Sequence, residues 1–179
     1  TICIKALTIR GYNKIMSDKK DNIENISASD AEYLKNLRKT LDSKGVDLMA
    51  NENISDHLSD DDLDIMQREV ERHVQGLLEA LLIDTEKDHN TTDTAKRVAK
   101  MYVREVMSGR FLKEPTVTEF PNAKQYNNVY TVGPITVRSL CSHHLAPIMG
   151  TCAIAVIPGD KVIGLSKFNR MVDWVMSRP

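Results

Sequence analysis

Apolar residues in this chain recur first at helical spacing and then at strand spacing, and the period changes near residue 114. Ser29-Asp30-Ala31-Glu32 has capping-box spacing, and Ala31, Leu34, Leu37 and Leu41 follow at helical intervals, with Gly45 placed to end the helix. Residues 46–58 read as a polar linker. Ser59-Asp60-Asp61-Asp62 starts a second helix with acids where the helix dipole favours them, and Met66, Val70, Val74, Leu77, Leu78 and Leu81 form one core-packing stripe. After a loop at 84–91, Thr92-Asp93-Thr94 opens a third helix expected to run to Ser108 and stop at Gly109. Its buried face is Ala95, Val98, Ala99, Tyr102 and Val106; Arg97, Lys100 and Arg104 share another face, which spacing alone reads as solvated surface.

Beyond residue 114 the alternation is twofold. Residues 116–120, 129–132, 135–140 and 151–157 read as strands, and Pro158-Gly159-Asp160 turns the chain into Lys161-Val162-Ile163. Ser166 can cap a last helix whose Phe168, Met171, Val172 and Val175 face the sheet. Helices, then an antiparallel meander, then a helix make an α+β arrangement.

Composition narrows the function. The 179 residues suffice for one domain with a helical appendage. A net charge of −1 gives no global field for nucleic acid or an anionic membrane, so any affinity for phosphate must be local. No apolar run approaches the ~20 residues that span a bilayer. Cys3, Cys141 and Cys152 form no disulfide framework, and free thiols suit a reducing cytoplasm. The chain begins at Thr1, while Met16-Ser17-Asp18-Lys19 looks like a more natural start; residues 1–28 are therefore expected to be a disordered or non-native leader. Residues 29–110 form a helical region and 111–179 a catalytic domain, expected to be incomplete at Pro179.

The chemistry concentrates in two blocks. In Leu140-Cys141-Ser142-His143-His144, the Cys-x-x-His spacing lets Cys141 and His144 grip one transition metal, leaving His143 free to move protons beside it. Cys152 is a possible third ligand, although its alternation with Ala153 and Ile154 favours a core role. In Gly164-Leu165-Ser166-Lys167-Phe168-Asn169-Arg170, a hydroxyl, an ammonium and a guanidinium gather at a helix start, where anions bind well; Lys167 and Arg170 can meet the same one. His57, His73 and His89 fall in polar surroundings and receive no role. Together the blocks suggest an enzyme acting on a phosphorylated small molecule.

These residues resemble the GTP cyclohydrolase I family. The resemblance runs in order through Arg97-Val98-Ala99-Lys100-Met101-Tyr102, Ser108-Gly109, Cys141-Ser142-His143-His144 with Pro147 and Gly150, Ile163 to Arg170, and Arg178-Pro179. It implies a tunnelling fold (T-fold) and a toroidal homo-oligomer, typically a decamer, with active sites between subunits. It also implies zinc on Cys141 and His144, and His143 and Ser166 as catalytic residues, with Ser166 near the ribose. Lys167 and Arg170 would hold the triphosphate of GTP, joined by Arg97 and Lys100 from a neighbouring subunit. The implied reaction opens the guanine imidazole ring by hydrolysis, releases formate and yields 7,8-dihydroneopterin triphosphate. Ser142 stands where the family usually has Glu. The family's third zinc cysteine and guanine-recognising carboxylate are expected beyond Pro179. The alternatives are another T-fold enzyme, a structural zinc module, or a catalytically inactive assembly or regulatory subunit that keeps the fold.

Overall fold

The computed structural model describes residues 29–179, so the expectations for residues 1–28 lie outside it. Helix α1 covers residues 29–43 and ends as its sequence predicts, with Gly45 in the left-handed region at φ 69°. Ser29 already lies within the helix and does not cap it. Asp30 instead reaches across to the next helix, where the Arg68 guanidinium grips it through Nε at 2.7 Å and Nη2 at 3.1 Å.

Helix α2 (Asp60–Ala80) opens on a reciprocal capping box. The Asp62 backbone N–H donates to the Ser59 hydroxyl, and the Ser59 backbone N–H donates to the Asp62 carboxylate. Tyr33 of α1 donates to the other Asp62 oxygen at 2.6 Å. Burial pushes the Asp62 carboxyl up, but the bonds from Ser59 and Tyr33 outweigh it and hold the group below the ordinary carboxylate range. Among the described residues, the first half of the expected apolar stripe packs on the core and its far end does not. Met66 and Val70 pack on the core, while Leu77 and Leu81 are 57% and 61% exposed.

The segment expected to be a polar linker is a packed strap. Ile54 is buried with Leu63, Val103 and Phe111, and Val46, Leu48 and Leu58 lie against them. A short 3₁₀ turn at Ser55–His57 follows Ile54. Polar neighbours hide this one isoleucine from any periodicity test.

Helix α3 (Thr94–Lys100) passes into a π-helical segment, Met101–Val106, and after Met107 a short helix α4 (Ser108–Phe111) follows. The single helix expected to run to Ser108 is thus two windings, and Gly109 lies inside α4. The wider π turn changes which side chains face inward. Ala95 and Ala99 are buried as expected, but the next buried residue is Val103, while Tyr102 and Val106 line a cleft. Arg104 leaves the basic stripe to pair with Asp64 of α2.

The strands are antiparallel but nested, so the meander is corrected. β1 (Glu119–Pro121) pairs with β4 (Lys161–Ile163), and β2 (Tyr130–Leu140) pairs with β3 (Pro147–Val156). The expected strands 129–132 and 135–140 are one strand, whose register shifts between Val132 and Ile135, around Pro134, which has no N–H to give a ladder. β3 starts earlier than its alternation suggests because Pro147 to Gly150 are exposed and carry no burial pattern.

Helix α5 (Leu165–Met176) covers one face of this hairpin. Phe168 and Val172 pack on Ile135 and Val137, flanked by Val132, Cys152, Ile154 and Val156. Its N-cap is Gly164 and no side chain caps it, so Ser166 sits in the first turn and not at the cap.

Candidate active site

The β2–β3 hairpin closes with Leu140 opposite Pro147, leaving residues 141–146 as its loop. Two backbone bonds fold this loop on itself: Cys141 N–H donates to the Ala146 carbonyl at 2.9 Å, and Leu145 N–H to the Cys141 carbonyl at 2.7 Å. Leu145 takes the left-handed conformation at φ 51° to make the turn. Cys141, His143 and His144 therefore share one tight loop at the end of the longest strand pair.

Within the loop, Cys141 Sγ lies 3.7 Å from His143 Nδ1, and the two imidazole centroids are 6.5 Å apart. The backbone N–H groups of His144 and His143, assisted by their rings, pull the Cys141 thiol down to about 6. Thiolate is the form that binds metal, and thiolate with imidazole is a donor set suited to zinc. Two such donors fill half of a tetrahedral shell, and among the described residues no group of three or more His, Cys, Asp or Glu side chains is arranged to hold a metal ion. Cys152 does not extend the set. It stands opposite Ile135, about 17 Å along the strand from the loop, and packs in the core beneath α5.

The cationic residues form two further groups away from the loop. Ser166, Lys167 and Arg170 occupy the first turns of α5, with Ser166 and Arg170 exposed. The opposite end of this helix approaches the loop: the Ser139 hydroxyl donates to the Arg178 carbonyl at 3.0 Å. Ser166 thus lies about 16 Å up the helix from the end that meets the hairpin. Arg97 and Lys100 project from α3, both exposed; Arg97 pairs with Asp93 at 3.3 Å and Lys100 with Glu105 at 3.6 Å. The second pair spans five residues, a separation the π turn brings together.

A cleft of about 550 Å³ lies between the π segment and the root of the loop. Met101, Tyr102, Leu140, Leu145 and Met149 supply its apolar wall, and Arg138, Glu105 and Asp173 its charges. No periodicity pointed to it, since the π segment that lines it is invisible to a 3.6-residue pattern.

The fold and the loop define a class: an α+β domain whose antiparallel hairpin presents a thiol and two imidazoles at its turn. The chain belongs to the GTP cyclohydrolase I family, whose family model matches residues 70–179, and its fold is the T-fold of that family. It is 40% identical to GTP cyclohydrolase 1 of Erwinia tasmaniensis over 119 residues, 66% of this chain and 53% of the relative. It is also 40% identical to GTP cyclohydrolase 1 of Vibrio cholerae over 114 residues, 63% of this chain and 52% of the relative. With GTP cyclohydrolase 1 of Yersinia enterocolitica the identity is 37% over 119 residues, 66% of this chain and 54% of the relative. The chain spans about half the length of the curated relatives it matches. Among its described residues no helix is long and apolar enough to cross a membrane.

Proposed function

We propose that this chain carries the zinc-binding and triphosphate-binding part of a GTP cyclohydrolase I, a cytoplasmic homo-oligomer that opens the guanine imidazole ring of GTP and releases formate. The observation that carries this reading is the 141–146 loop, which holds a low-pKa thiol against two imidazoles in a chain of this family. Cys141 and His144 would hold the ion, and zinc when bound supplies Lewis-acid activation of water for hydrolysis at C8 of guanine.

The remaining work falls to the chain's own groups. His143 carries the mobile proton on a ring nitrogen and delivers it to the guanine nitrogen that departs as the ring opens. Lys167 and Arg170, at the start of α5, bind triphosphate oxygens by charge-assisted hydrogen bonds, and Ser166 contacts the ribose side. Binding energy taken up at the triphosphate, which does not react, holds the base in place over the loop.

The separation of the three groups supports an active site shared between subunits. The loop and the start of α5 stand at opposite ends of one helix, and Arg97 and Lys100 stand on a third element. A toroidal assembly, a decamer in this reading, would bring Arg97 and Lys100 of one subunit to the α5 cations of the next.

The full-length protein, incubated with GTP and zinc, should release formate and give a product with neopterin fluorescence after oxidation. His143→Ala should lower turnover by about 10²–10⁴-fold while the metal content stays near that of the wild type. Absence of product from the wild type with zinc fully bound would sink the enzymatic reading. That outcome would favour an assembly subunit without activity, a reading to which Ser142 gives some weight because it replaces a carboxylate at the edge of the loop.

A further inference from the structure

Arg178 lies at a junction of four segments, and the zinc-binding reading gives it no task. Its guanidinium stacks 4.1 Å from the centroid of the Trp174 ring. Nε donates to the Gly109 carbonyl and Nη1 to the Asn51 carbonyl, each at 3.2 Å. Its own backbone carbonyl accepts from the Ser139 hydroxyl at 3.0 Å. Ser139 is two residues before Cys141 and pairs with Ile148 at the root of the hairpin, and the intervening Leu140 is only 4% exposed. One arginine thus ties the strap at residues 48–54 and helix α4 to the strand that carries the loop.

The surroundings of this arginine leave little play. Gly109 N–H donates to the Ser177 carbonyl at 2.9 Å. A Cβ at Gly109 would stand 1.9 Å from the Trp174 carbonyl oxygen, so the approach of α4 to α5 requires glycine. Asn53 donates to the carbonyls of both Gly109 and Leu112 at 2.8 Å, and Trp174 Nε1 donates to the Leu112 carbonyl at 2.8 Å. The partners of the Arg178 guanidinium are backbone carbonyls and a ring. Their directions are fixed by the main chain, and a planar fork can meet two of them while its central carbon sits over the indole. A lysine could keep the charge and not the geometry.

We propose that Arg178 is a positioning residue for the Cys141–His144 loop, acting through the hydrogen bond between Ser139 and its backbone carbonyl. The helical region, through Gly109 and Asn51, sets where Arg178 stands, and Ser139 passes that position to the strand entering the loop. The part of the inference that concerns metal rests on the zinc-binding reading; the part that concerns loop order does not.

The test compares Arg178→Lys and Ser139→Ala with the wild type in the full-length protein, using two readouts. The first is amide hydrogen exchange, without metal, in peptides covering residues 140–147, 48–54 and α2. The second is Co²⁺ affinity measured by competition with a chromophoric chelator. Both variants should speed exchange in 140–147 by about fivefold or more, with α2 unchanged. Ser139→Ala should do so without loosening 48–54, because it cuts only the last link. Both should weaken Co²⁺ binding by about tenfold, the scale for groups that orient metal ligands. Unchanged exchange in 140–147 in both variants, or an Arg178→Lys effect confined to 48–54, overturns the proposal and leaves Arg178 a fastener of helices. Failure of the wild type to bind Co²⁺ counts against the zinc reading alone, since the exchange result decides the positioning role without metal.

Discussion

The helical region and the hairpin region solve the problem of burial in different ways. The helices around Ile54, Leu63, Val103 and Phe111 close a core among themselves and brace it with directional polar contacts: Tyr33 and Ser59 on Asp62, Arg68 on Asp30, Arg72 on Glu69. The hairpin packs one face on α5, while Thr131, Thr136, Arg138, Thr151, Ala153 and Ala155 on its other face are exposed. A two-stranded ribbon is marginal without such cover. Yet the ribbon, not the helical core, carries the thiol and imidazoles. Polar bracing is concentrated in one region and the thiol–imidazole loop stands on the other, and the junction around Gly109 joins them.

If that division holds, the largest effect should come from breaking the junction. Gly109→Ala places a methyl group against the Trp174 carbonyl backbone and should destabilise the protein by about 4 kcal/mol or more, seen as a collapse of the thermal unfolding midpoint. Next in size is Leu63→Ala within the helical core, where a 3% exposed leucine leaves a cavity. It should cost about 2–5 kcal/mol in denaturant titrations while leaving Co²⁺ affinity unchanged well below the transition. A loss of metal affinity in that variant would mean that the helical core itself, and not the junction alone, governs the loop.

Acid should distinguish the regions more gently. Asp62 is held below its ordinary pKa as described, and the Arg72 guanidinium, against the effect of burial, does the same for Glu69 with help from His73. Both carboxyls therefore release protons more readily folded than unfolded. Their contribution is complete above the ordinary carboxylate range near pH ~4 and is lost as pH falls through the lower folded values. Thermal midpoints measured from pH 6 down to pH 3 should fall, and the fall should be shallower in Asp62→Asn combined with Glu69→Gln. Smallest of all, Leu77→Ala on the exposed half of α2 should change stability by less than about 0.5 kcal/mol in the monomer, an order below Leu63→Ala.

The sequence made much of this visible, and its failures have physical causes. Residues that bring their own local signal were legible: the acidic start of α2 at Ser59, the left-handed Gly45, the alternation in β3 after Thr151, and the Cys-x-x-His loop itself. What escaped depends on contacts distant in sequence. Ile54 looked like part of a linker because its apolar partners lie on other elements. Val103 replaced Tyr102 as the buried residue because one wide turn moved the register, and the same turn withdrew Arg104 from the basic stripe. The pairing of β1 with β4 could not be read from strands whose patterns are nearly alike. Cys152 shows the reverse: its alternation with Ala153 and Ile154 favoured the core, and that is where it packs. Gly109, which spacing made a helix terminator, is a point of close approach between α4 and α5.

Leu145 carries one more consequence. A branched side chain in the left-handed region stores about 1–2 kcal/mol, which the two bonds across the loop must outweigh. The turn is therefore made while the chain folds, and the cost of ordering its backbone is met then and not when a ligand arrives. A ligand meeting this loop finds the turn already made, and only the side-chain donors remain to be ordered when it binds. Relaxing the turn with Leu145→Gly would return that ordering cost to the binding step.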